Sequence, residues 1–316
     1  MKPKNVLIFG ASGQIGRHII RKLTKNNYKV TAVTRNIHQK GYILKTQAPA
    51  GWIDCVEANI FDENKLVDLI SKSDICINLV GILSEGGKIN TFENIHTKFP
   101  FLLSKICKEK GVEQFIHLSA LGIEDSKDSF YAKSKLEGEK VIKKNFPNSI
   151  ILRPSVIYSV DDNFTTNFMT LLSHLPFFPI FKDTKFEPIH VSDLTEIIFY
   201  VMTNKIKSIT IECVGNEVIS MRQILEKLLK LIGKKRLLIP LPFNVSKIVV
   251  TLFGLLPNPP ITKDQLNLLK IDNVQSGKYK TNFDLGVPSI CNFELEVEKY
   301  CAMWRNRGQY SKKNFN

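Results

Sequence analysis

A glycine-rich segment near residue 10 constrains the fold of this chain more than any other feature. Gly10, Gly13 and Gly16 follow a short apolar run at residues 6–9 and precede a segment whose apolar residues have helical spacing. Glycine in the first position permits a tight turn, in the second it lets the backbone approach a pyrophosphate, and in the third it lets helix and strand pack closely. A helix that begins in such a turn presents free N–H groups and its positive dipole end to phosphates. The segment therefore predicts a strand, a turn and a helix that together bind a dinucleotide.

Strand-like and helix-like segments alternate through the first half of the chain. The predicted strands lie at residues 6–9, 30–34, 56–58, 75–80, 114–119 and 149–152, and the predicted helices at 63–71, 92–110 and 131–144. We expect Arg153 and Pro154 to end the last of these strands, and Pro100 is a candidate kink in the second helix. Such alternation is typical of βαβ units in a parallel sheet. We therefore predict an α/β fold, a Rossmann-like doubly wound parallel sheet with a smaller, mostly helical C-terminal lobe.

The regular alternation stops after residue 158. We predict an NAD(P)-binding Rossmann domain in residues 1–160, to which 188–215 return, and a smaller substrate or partner lobe in residues 161–187 and 216–316. The expected elements of this half are a helix at 190–201, a strand at 209–214, and helices at 221–232, 243–256, 262–270 and 293–304.

The chain of 316 residues carries a net charge of +14, and its last third contributes most of it. Residues 221–316 contain sixteen Lys and Arg against seven Asp and Glu, a balance of +9. A basic surface suits nucleic acid, anionic lipid or an acidic protein. No helix-turn-helix, RNA-recognition or zinc-finger signature accompanies the charge, so we expect no nucleic-acid partner. The six cysteines form no CxxC pair, and we expect no metal site.

No segment has the pattern of a targeting or membrane-spanning sequence. The apolar run near the start is too short for the core of a signal peptide, and no stretch of about 18 apolar residues occurs. Two segments, 164–181 and 243–256, are nevertheless strongly apolar, and Lys247 is the only charged residue of the second. They could line a pocket for a lipid-like or quinone-like molecule, dock on a membrane surface, or form the core of the lobe.

Basic residues follow the two elements that would surround the adenosine ribose. Arg17 comes directly after the third glycine, and Arg35 follows the second predicted strand, where NAD-binding proteins usually place an acidic residue. Two guanidinium groups near the ribose favour a 2′-phosphate, so we predict NADPH rather than NAD as the cofactor. The further residues predicted to contact the nucleotide are Ser12, Gln14 and Ile15 in the turn, Asn59 and Ile60 after the third strand, Leu79, Val80 and Gly81 around the end of the fourth, and Pro154 and Ser155 after the sixth.

A Tyr-x-x-x-Lys pattern provides the candidate catalytic pair. Tyr131 and Lys135 lie one turn apart on one face of a predicted helix. A nearby ammonium group stabilises phenolate, so the phenol can exchange a proton with a carbonyl or an alcohol, and Ser119 could hydrogen-bond the same oxygen. The pattern alone is weak evidence for a catalytic pair. Its position on the helix after the strand that ends at Ser119 makes the evidence stronger. Together with the glycine spacing, it resembles the short-chain dehydrogenase/reductase superfamily in its extended or atypical branch. That resemblance implies that Tyr131 and Lys135 also contact the nucleotide.

One position departs from the pattern of that superfamily. Many extended members carry an asparagine on the helix before the fifth strand, where it helps to organise the proton relay, and His96 occupies this place here. His96 either substitutes as a polar group or is a packed or surface histidine. The departure argues against turnover of a substrate by the Tyr-Lys pair.

A series of longer motifs narrows the resemblance. The motifs lie at residues 116–120, 131–139, 146–148, 152–155, 186–193, 239–243, 257–265 and 269–273. This series resembles the complex I alpha-subcomplex subunit 9 family over roughly residues 5–287, and its most specific part is the proline-rich element at 257–264 followed by Asp272 and Asn273. The resemblance implies an accessory subunit of NADH:ubiquinone oxidoreductase near the junction of the hydrophilic and membrane arms, in which tightly held NADPH has a structural role. It also implies a peripheral location on the cytoplasmic side of the inner or plasma membrane.

Three functional hypotheses follow from these features. The first is an NADPH-binding subunit or factor associated with respiratory complex I, with little or no catalysis. The second is a free-standing NADP-dependent reductase or epimerase of the extended short-chain type, acting on an apolar carbonyl or quinone-like substrate. The third is a redox-sensing regulator that binds a partner according to its NADPH occupancy. Tyr131 and Lys135 favour the second hypothesis, whereas His96 and the resemblance over the whole chain favour the first.

Overall fold

The structure of the chain, a computed structural model, describes residues 3–254, 259–306 and 308. The strands are β1 (Asn5–Phe9), β2 (Lys29–Thr34), β3 (Ile53–Glu57), β4 (Ile75–Asn78), β5 (Gln114–Leu118), β6 (Ile150–Pro154), β7 (Ile157–Tyr158), β8 (Phe177–Ile180), β9 (Lys185–Phe186), β10 (Ile189–His190), β11 (Ile209–Cys213), β12 (Ile219–Ser220), β13 (Leu237–Pro240) and β14 (Lys280–Thr281). The helices are α1 (Gln14–Lys25), α2 (Ile37–Lys45), α3 (Glu63–Ser71), α4 (Phe99–Glu109), α5 (Phe130–Asn145), α6 (Thr165–His174), α7 (Val191–Thr203), α8 (Met221–Ile232), α9 (Phe243–Phe253), α10 (Lys263–Leu268) and α11 (Phe293–Glu298). A π-helical segment, Glu93–Lys98, precedes α4, and a 3₁₀ turn, Cys301–Trp304, follows α11.

Eight strands form one parallel sheet in the order β3-β2-β1-β4-β5-β6-β11-β14. The strand order reverses between β1 and β4, which are hydrogen-bonded to each other although three crossover connections separate them along the chain. In doubly wound folds ligands bind at such a switch point, beyond the carboxyl ends of the strands. The predicted fold class is confirmed.

Both faces of the sheet are buried, as the apolar composition of its central strands requires. Along β1, Val6 and Ile8 pack into the apolar cluster that includes residues of α1 and α7. Leu7 and Phe9 point to the other face and pack into the cluster that includes residues of α3 and α4. This alternation fixes the register of β1, because a shift by one residue would exchange its two faces. It also fixes where the turn after Phe9 emerges from the sheet.

A third apolar cluster lies beside the sheet and is built mainly from α6, α8 and α11. Met169, Leu225 and Leu228 are buried in it, together with Phe293. Much of the apolar segment at 164–181 is therefore core of the protein. Within the described residues, no helix is both long and apolar enough to cross a bilayer.

Several predicted boundaries were wrong. Strand β6 continues through Arg153 and Pro154 instead of stopping before them. The predicted helix at 92–110 is divided into the π-helical segment and α4, and Pro100 lies in the first turn of α4, directly after this change of helix type. Helices α2 and α6 were not predicted. The end of the predicted helix at 243–256 and the first two residues of the proline-rich motif, at 257 and 258, lie outside the described residues.

Candidate nucleotide-binding and Tyr-Lys site

The glycine-rich turn joins β1 to α1 at the switch point of the sheet. Gly10 has a φ of +78°, a backbone conformation that favours glycine, and a Cβ there would lie 3.0 Å from the carbonyl carbon of Leu79. A Cβ on Gly16 would lie 2.3 Å from the carbonyl oxygen of Ala11, so helix and turn can approach this closely only with glycine. Steric hindrance therefore explains why glycine is required at each of these two positions.

The first turn of α1 offers free donors to an anion. Gly13 is the N-cap residue, so no side chain caps the helix, and the first turn contains no acidic residue. Ser12, Gln14 and Ile15 surround this end and are half-buried. Uncapped N–H groups at a positive helix end, beside a turn with no room for side chains, suit the pyrophosphate of a dinucleotide. The residues of this turn therefore fit a dinucleotide cofactor.

The two arginines predicted to select NADPH have different surroundings. Arg17 forms an ion pair with Asp161, which lies in the loop after β7. Arg35 is exposed, and its guanidinium group donates to Oδ1 of Asn90 at 3.4 Å. Asp161 was not predicted to be near the site, because it lies 144 residues from Arg17 in the chain.

The segment after β4 lies between the glycine turn and the Tyr-Lys helix. On one side, the backbone of Leu79 lies against Gly10, as described above. On the other side, Gly81 lies close to Lys135, because a Cβ on Gly81 would lie 3.3 Å from Nζ of Lys135. Oδ1 of Asn78 accepts the N–H of Val80 at 3.1 Å and fixes the path of the segment. The structure thus brings together the predicted residues at 10, 79–81 and 135.

Two other pairs of predicted contacts lie at the carboxyl ends of their strands. Asn59 is exposed after β3, where its Oδ1 accepts the N–H of Phe61 at 3.0 Å, and Ile60 is buried. Pro154 ends β6 and Ser155 follows it, with both buried. Their contacts with a nucleotide stay predictions.

Lys135 contacts the end of β5, directly before Ser119 in the chain. The ammonium group of Lys135 is buried and donates to the carbonyl oxygen of Leu118 at 3.0 Å. Burial lowers the pKa of Lys135 to about 8, against the opposing effect of Glu139. The hydroxyl of Ser119 is buried and has no hydrogen-bond partner among the described residues. An unpartnered buried hydroxyl is costly, so Ser119 is a candidate contact for a molecule bound at this end of the sheet.

Tyr131 lies in the first turn of α5, and the side chain of Asp264 caps this end of the helix. The carboxylate of Asp264 accepts from the N–H groups of Phe130 and Tyr131 at 2.7 and 3.1 Å and from the hydroxyl of Ser129 at 2.8 Å. Burial, and after it the charge of Asp264, raises the pKa of Tyr131 to about 12. Within the described residues, no hydrogen bond joins the Tyr131 hydroxyl to Ser119 or to Lys135. With its pKa raised in this way, the tyrosine is a neutral phenol at physiological pH.

His96 is a packed histidine rather than an exposed polar group. Its Nε2 accepts the N–H of Ile82 at 3.1 Å, so Nδ1 carries the proton and donates to Oγ of Ser134 at 2.9 Å. Its ring stands edge-on to that of Tyr131, with 5.3 Å between the ring centres. Burial, and after it the charge of Lys135, lowers the pKa of His96 to about 2. His96 is neutral at physiological pH and holds Tyr131 from the side.

The π-helical segment that carries His96 packs directly on α5. A Cβ on Gly138 would lie only 1.9 Å from the carbonyl oxygen of His96. Gly138 therefore sets the distance between this segment and the helix that carries Tyr131 and Lys135.

A buried ion cluster connects α5, the helix that carries Tyr131 and Lys135, to strand β6. Arg153 donates to both carboxylate oxygens of Glu139, at 2.8 and 2.7 Å, and to Glu124 at 2.9 Å. Its guanidinium group also lies over the ring of Tyr279, 4.5 Å from the ring centre. Burial alone would lower the pKa of Arg153, but the hydrogen bonds and charges of the two glutamates outweigh burial and raise it.

Asn273 connects the loops that follow β5 and β6. Its Oδ1 accepts from the hydroxyl of Ser155 at 2.7 Å and from the N–H of Val156 at 3.1 Å, and its Nδ2 donates to the carbonyl oxygen of Leu121 at 3.1 Å. The motif that contains Asp272 and Asn273 thus has a structural role at the site, which its residue types alone did not indicate.

The fold and the site define a Rossmann-fold, NAD(P)-binding protein of the short-chain dehydrogenase/reductase and epimerase class. The chain belongs to the family described as RmlD substrate binding domain, whose model matches residues 4–243. The predicted resemblance to subunit 9 of the complex I alpha subcomplex is confirmed: the mouse mitochondrial subunit is 27% identical over 304 residues, 95% of this chain and 80% of the mouse protein.

Enzymes are also among the relatives and neighbours. A ceramide reductase of Caulobacter vibrioides is 24% identical over 242 residues, 75% of this chain and 73% of that protein. A UDP-glucose 4-epimerase of Thermotoga maritima superposes with a TM-score of 0.71 at 16% identity, covering 94% of this chain and 97% of its own. The Bordetella bronchiseptica enzyme WbmG in complex with NAD superposes with a TM-score of 0.69 at 12% identity, covering 96% and 94%. These superpositions establish the shared fold.

Proposed function

We propose that this protein is an NADPH-binding accessory subunit of respiratory NADH:ubiquinone oxidoreductase, or a factor associated with it, and that the nucleotide is structural. The observation that carries the proposal is the similarity to the complex I subunit over 95% of the chain. The site supports it, because burial, and after it the charge of Asp264, raises the pKa of Tyr131 to about 12, and within the described residues no hydrogen bond joins the phenol to Lys135.

In this proposal the nucleotide lies across the carboxyl ends of the central strands. The turn at 10–16 and the first turn of α1 hold its phosphates, and the segment at 79–81 lies along it. Bound NADPH could supply a hydride, while the chain's own residues position it and exclude water. The hydroxyl of Ser119, which has no partner among the described residues, would then hydrogen-bond the nucleotide.

We assign the nucleotide to residues 1–160 with 188–215, and the partner surface to residues 161–187 and 216–316. The partners are complex I subunits at the junction of the hydrophilic and membrane arms, where the apolar surface of the lobe contacts quinone or lipid. Val245, Ile248 and Leu252 support this assignment, because they expose apolar side chains on α9 in a basic part of the chain. The protein is then peripheral on the cytoplasmic side of the membrane.

The experiment that tests the proposal is fractionation of membranes from cells that contain the full chain. We expect much of the protein to remain on membranes after a moderate salt wash, because a packed interface is screened less than exposed charges, whose interaction decays within about 8–10 Å. It should co-migrate with NADH dehydrogenase activity on a native gel. Complete recovery in the soluble fraction, with no complex I subunits in a pull-down, would make the proposal wrong.

The choice of cofactor gives a second prediction. NADPH should bind more tightly than NADH by about 1.5–3 kcal/mol, the contribution of one or two charge-assisted contacts to the 2′-phosphate. Arg35→Asp should remove most of this difference, whereas Lys40→Asp, the same charge change at an exposed position of α2, should leave it. Calorimetric titration with both cofactors measures the difference. Equal dissociation constants in the unmutated protein would contradict the prediction.

The second candidate function is a free-standing NADP-dependent reductase or epimerase acting on an apolar carbonyl or quinone-like substrate. The bond of Lys135 to Leu118, next to Ser119 at the end of β5, favours it, as does the ceramide reductase among the relatives. The two functions differ in turnover. We expect oxidation of bound NADPH by quinones to be far slower than about 1 per second and unchanged by Tyr131→Phe. Faster oxidation in stopped flow, abolished by Tyr131→Phe, would establish the reductase instead.

A further inference from the structure

The loop between β7 and α6 is attached to the first turn of α1. Gln14 donates to the hydroxyl of Ser159 at 2.7 Å, and this hydroxyl donates to Oδ1 of Asp161 at 2.8 Å. The other oxygen of Asp161 pairs with the guanidinium group of Arg17. Two side chains of the nucleotide-binding helix are thus held by one loop, at the end where phosphates would bind.

Asp161 brings a carboxylate to a helix end that otherwise has the character of an anion site. The first turn of α1 contains no acidic residue, and its N-cap is a glycine without a capping side chain. The charged side chains of Arg17 and Asp161 are about a quarter and a third exposed, so a ligand can reach both from solvent. The carboxylate and a phosphate carry the same sign of charge and use the same donors of Arg17.

We propose that Asp161 is a specificity-determining residue, an internal competitor that occupies Arg17 until a nucleotide phosphate displaces it. The inference rests on the proposed binding of a dinucleotide at α1. It adds that the affinity for any phosphate there is reduced by the cost of breaking the pair between Arg17 and Asp161. A nucleotide that brings more phosphate charge to Arg17 recovers more of this cost.

The loop also connects the nucleotide site to the third apolar cluster. Asp162 is buried and accepts from the N–H groups of Phe164 and Thr166 at 2.8 and 3.1 Å and from the hydroxyl of Thr165 at 2.7 Å. The hydroxyl of Thr165 also lies 2.8 Å from that of Tyr300. Asp162 thus anchors the start of α6 and also accepts the N–H of Ser159 at 3.0 Å, so displacement of Asp161 frees its side chain from Arg17 while the loop stays attached at both ends.

The test is a double-mutant cycle between Asp161→Asn and Arg17→Gln, with the dissociation constants of NADPH and of inorganic pyrophosphate measured by calorimetry. Asp161→Asn should tighten both ligands about three- to fivefold, the range expected for a partly exposed ion pair. In the Arg17→Gln background the same substitution should change neither constant, because the competition needs both partners. Asp125→Asn is the matched control, since Asp125 forms an exposed ion pair with Lys278 at 3.3 Å away from α1.

Two other outcomes overturn the inference, and a third overturns the proposed function on which it rests. Unchanged affinity in Asp161→Asn would mean that the carboxylate does not compete. Equal tightening in the Arg17→Gln background or in Asp125→Asn would mean a general field of negative charge instead of competition for Arg17. If NADPH binds neither the unmutated protein nor Asp161→Asn, the dinucleotide proposal itself is wrong, and the pyrophosphate titration still decides whether Asp161 competes.

Discussion

Replacing Arg153 by methionine should lower the free energy of unfolding by about 3–5 kcal/mol, because removing one partner of a buried ion pair leaves the other charge uncompensated. Arg153 is 3% exposed and Glu139 is 1% exposed, so water cannot replace the lost hydrogen bonds. Lys143 lies 3.7 Å from Glu139, but its side chain is 45% exposed and compensates little. Urea denaturation followed by circular dichroism measures the change.

The double variant Arg153→Met with Glu139→Leu is the control for this prediction. It removes both charges and places apolar groups in their volume, so it should recover most of the lost stability. A single variant that loses less than about 1 kcal/mol would show that solvent reaches the cluster, and our description of it as buried would be wrong.

Replacing Gly138 by alanine should destabilise the protein by about 3 kcal/mol or more. The new Cβ would lie 1.9 Å from the carbonyl oxygen of His96, which is a backbone atom and cannot move alone. The π-helical segment would have to separate from α5, and the contacts of His96 with Tyr131 would loosen. Thermal and urea unfolding measure the loss of stability.

Gly86→Ala provides the comparison for this substitution. A Cβ on Gly86 would meet nothing within 4 Å, so this variant should change stability by less than about 0.5 kcal/mol. If Gly138→Ala behaves like Gly86→Ala, the close approach of the two segments is not required for the fold.

The glycine turn and the strands around it were predictable because they follow from local rules. Gly10 and Gly16 have steric reasons that act within a few residues or against the neighbouring strand, and the apolar runs have the length of buried strands. Helix α2 was missed because it buries only Gly41 and Leu44, so its sequence lacks a clear apolar stripe. Helix α6 was missed because its apolar residues merge with a strand that contains Pro179.

The hydrogen bonds and ion pairs of the site were not predictable, because the residues that form them are far apart in the chain. Tyr131, Lys135 and Ser119 were identified from their pattern, but the pattern could not reveal that Asp264 caps the helix 133 residues earlier. The same holds for Asp161 beside Arg17. His96 was left open between two interpretations, and its burial, with the N–H of Ile82 and the hydroxyl of Ser134 at its two ring nitrogens, identifies it as packed.

The attachment of Asp264 and Asn273 has a consequence for how the protein is made. These residues bond to groups at positions 121, 129–131 and 155–156, separated from them by 117 to 152 positions along the chain. During synthesis the first half of the chain leaves the ribosome well before residue 264 emerges. Until then the start of α5 lacks its cap, and the loops after β5 and β6 lack their hydrogen bonds to Asn273. Closing such long loops is slow. We therefore expect the capping of α5 by Asp264, beside Tyr131, to be a late step of folding.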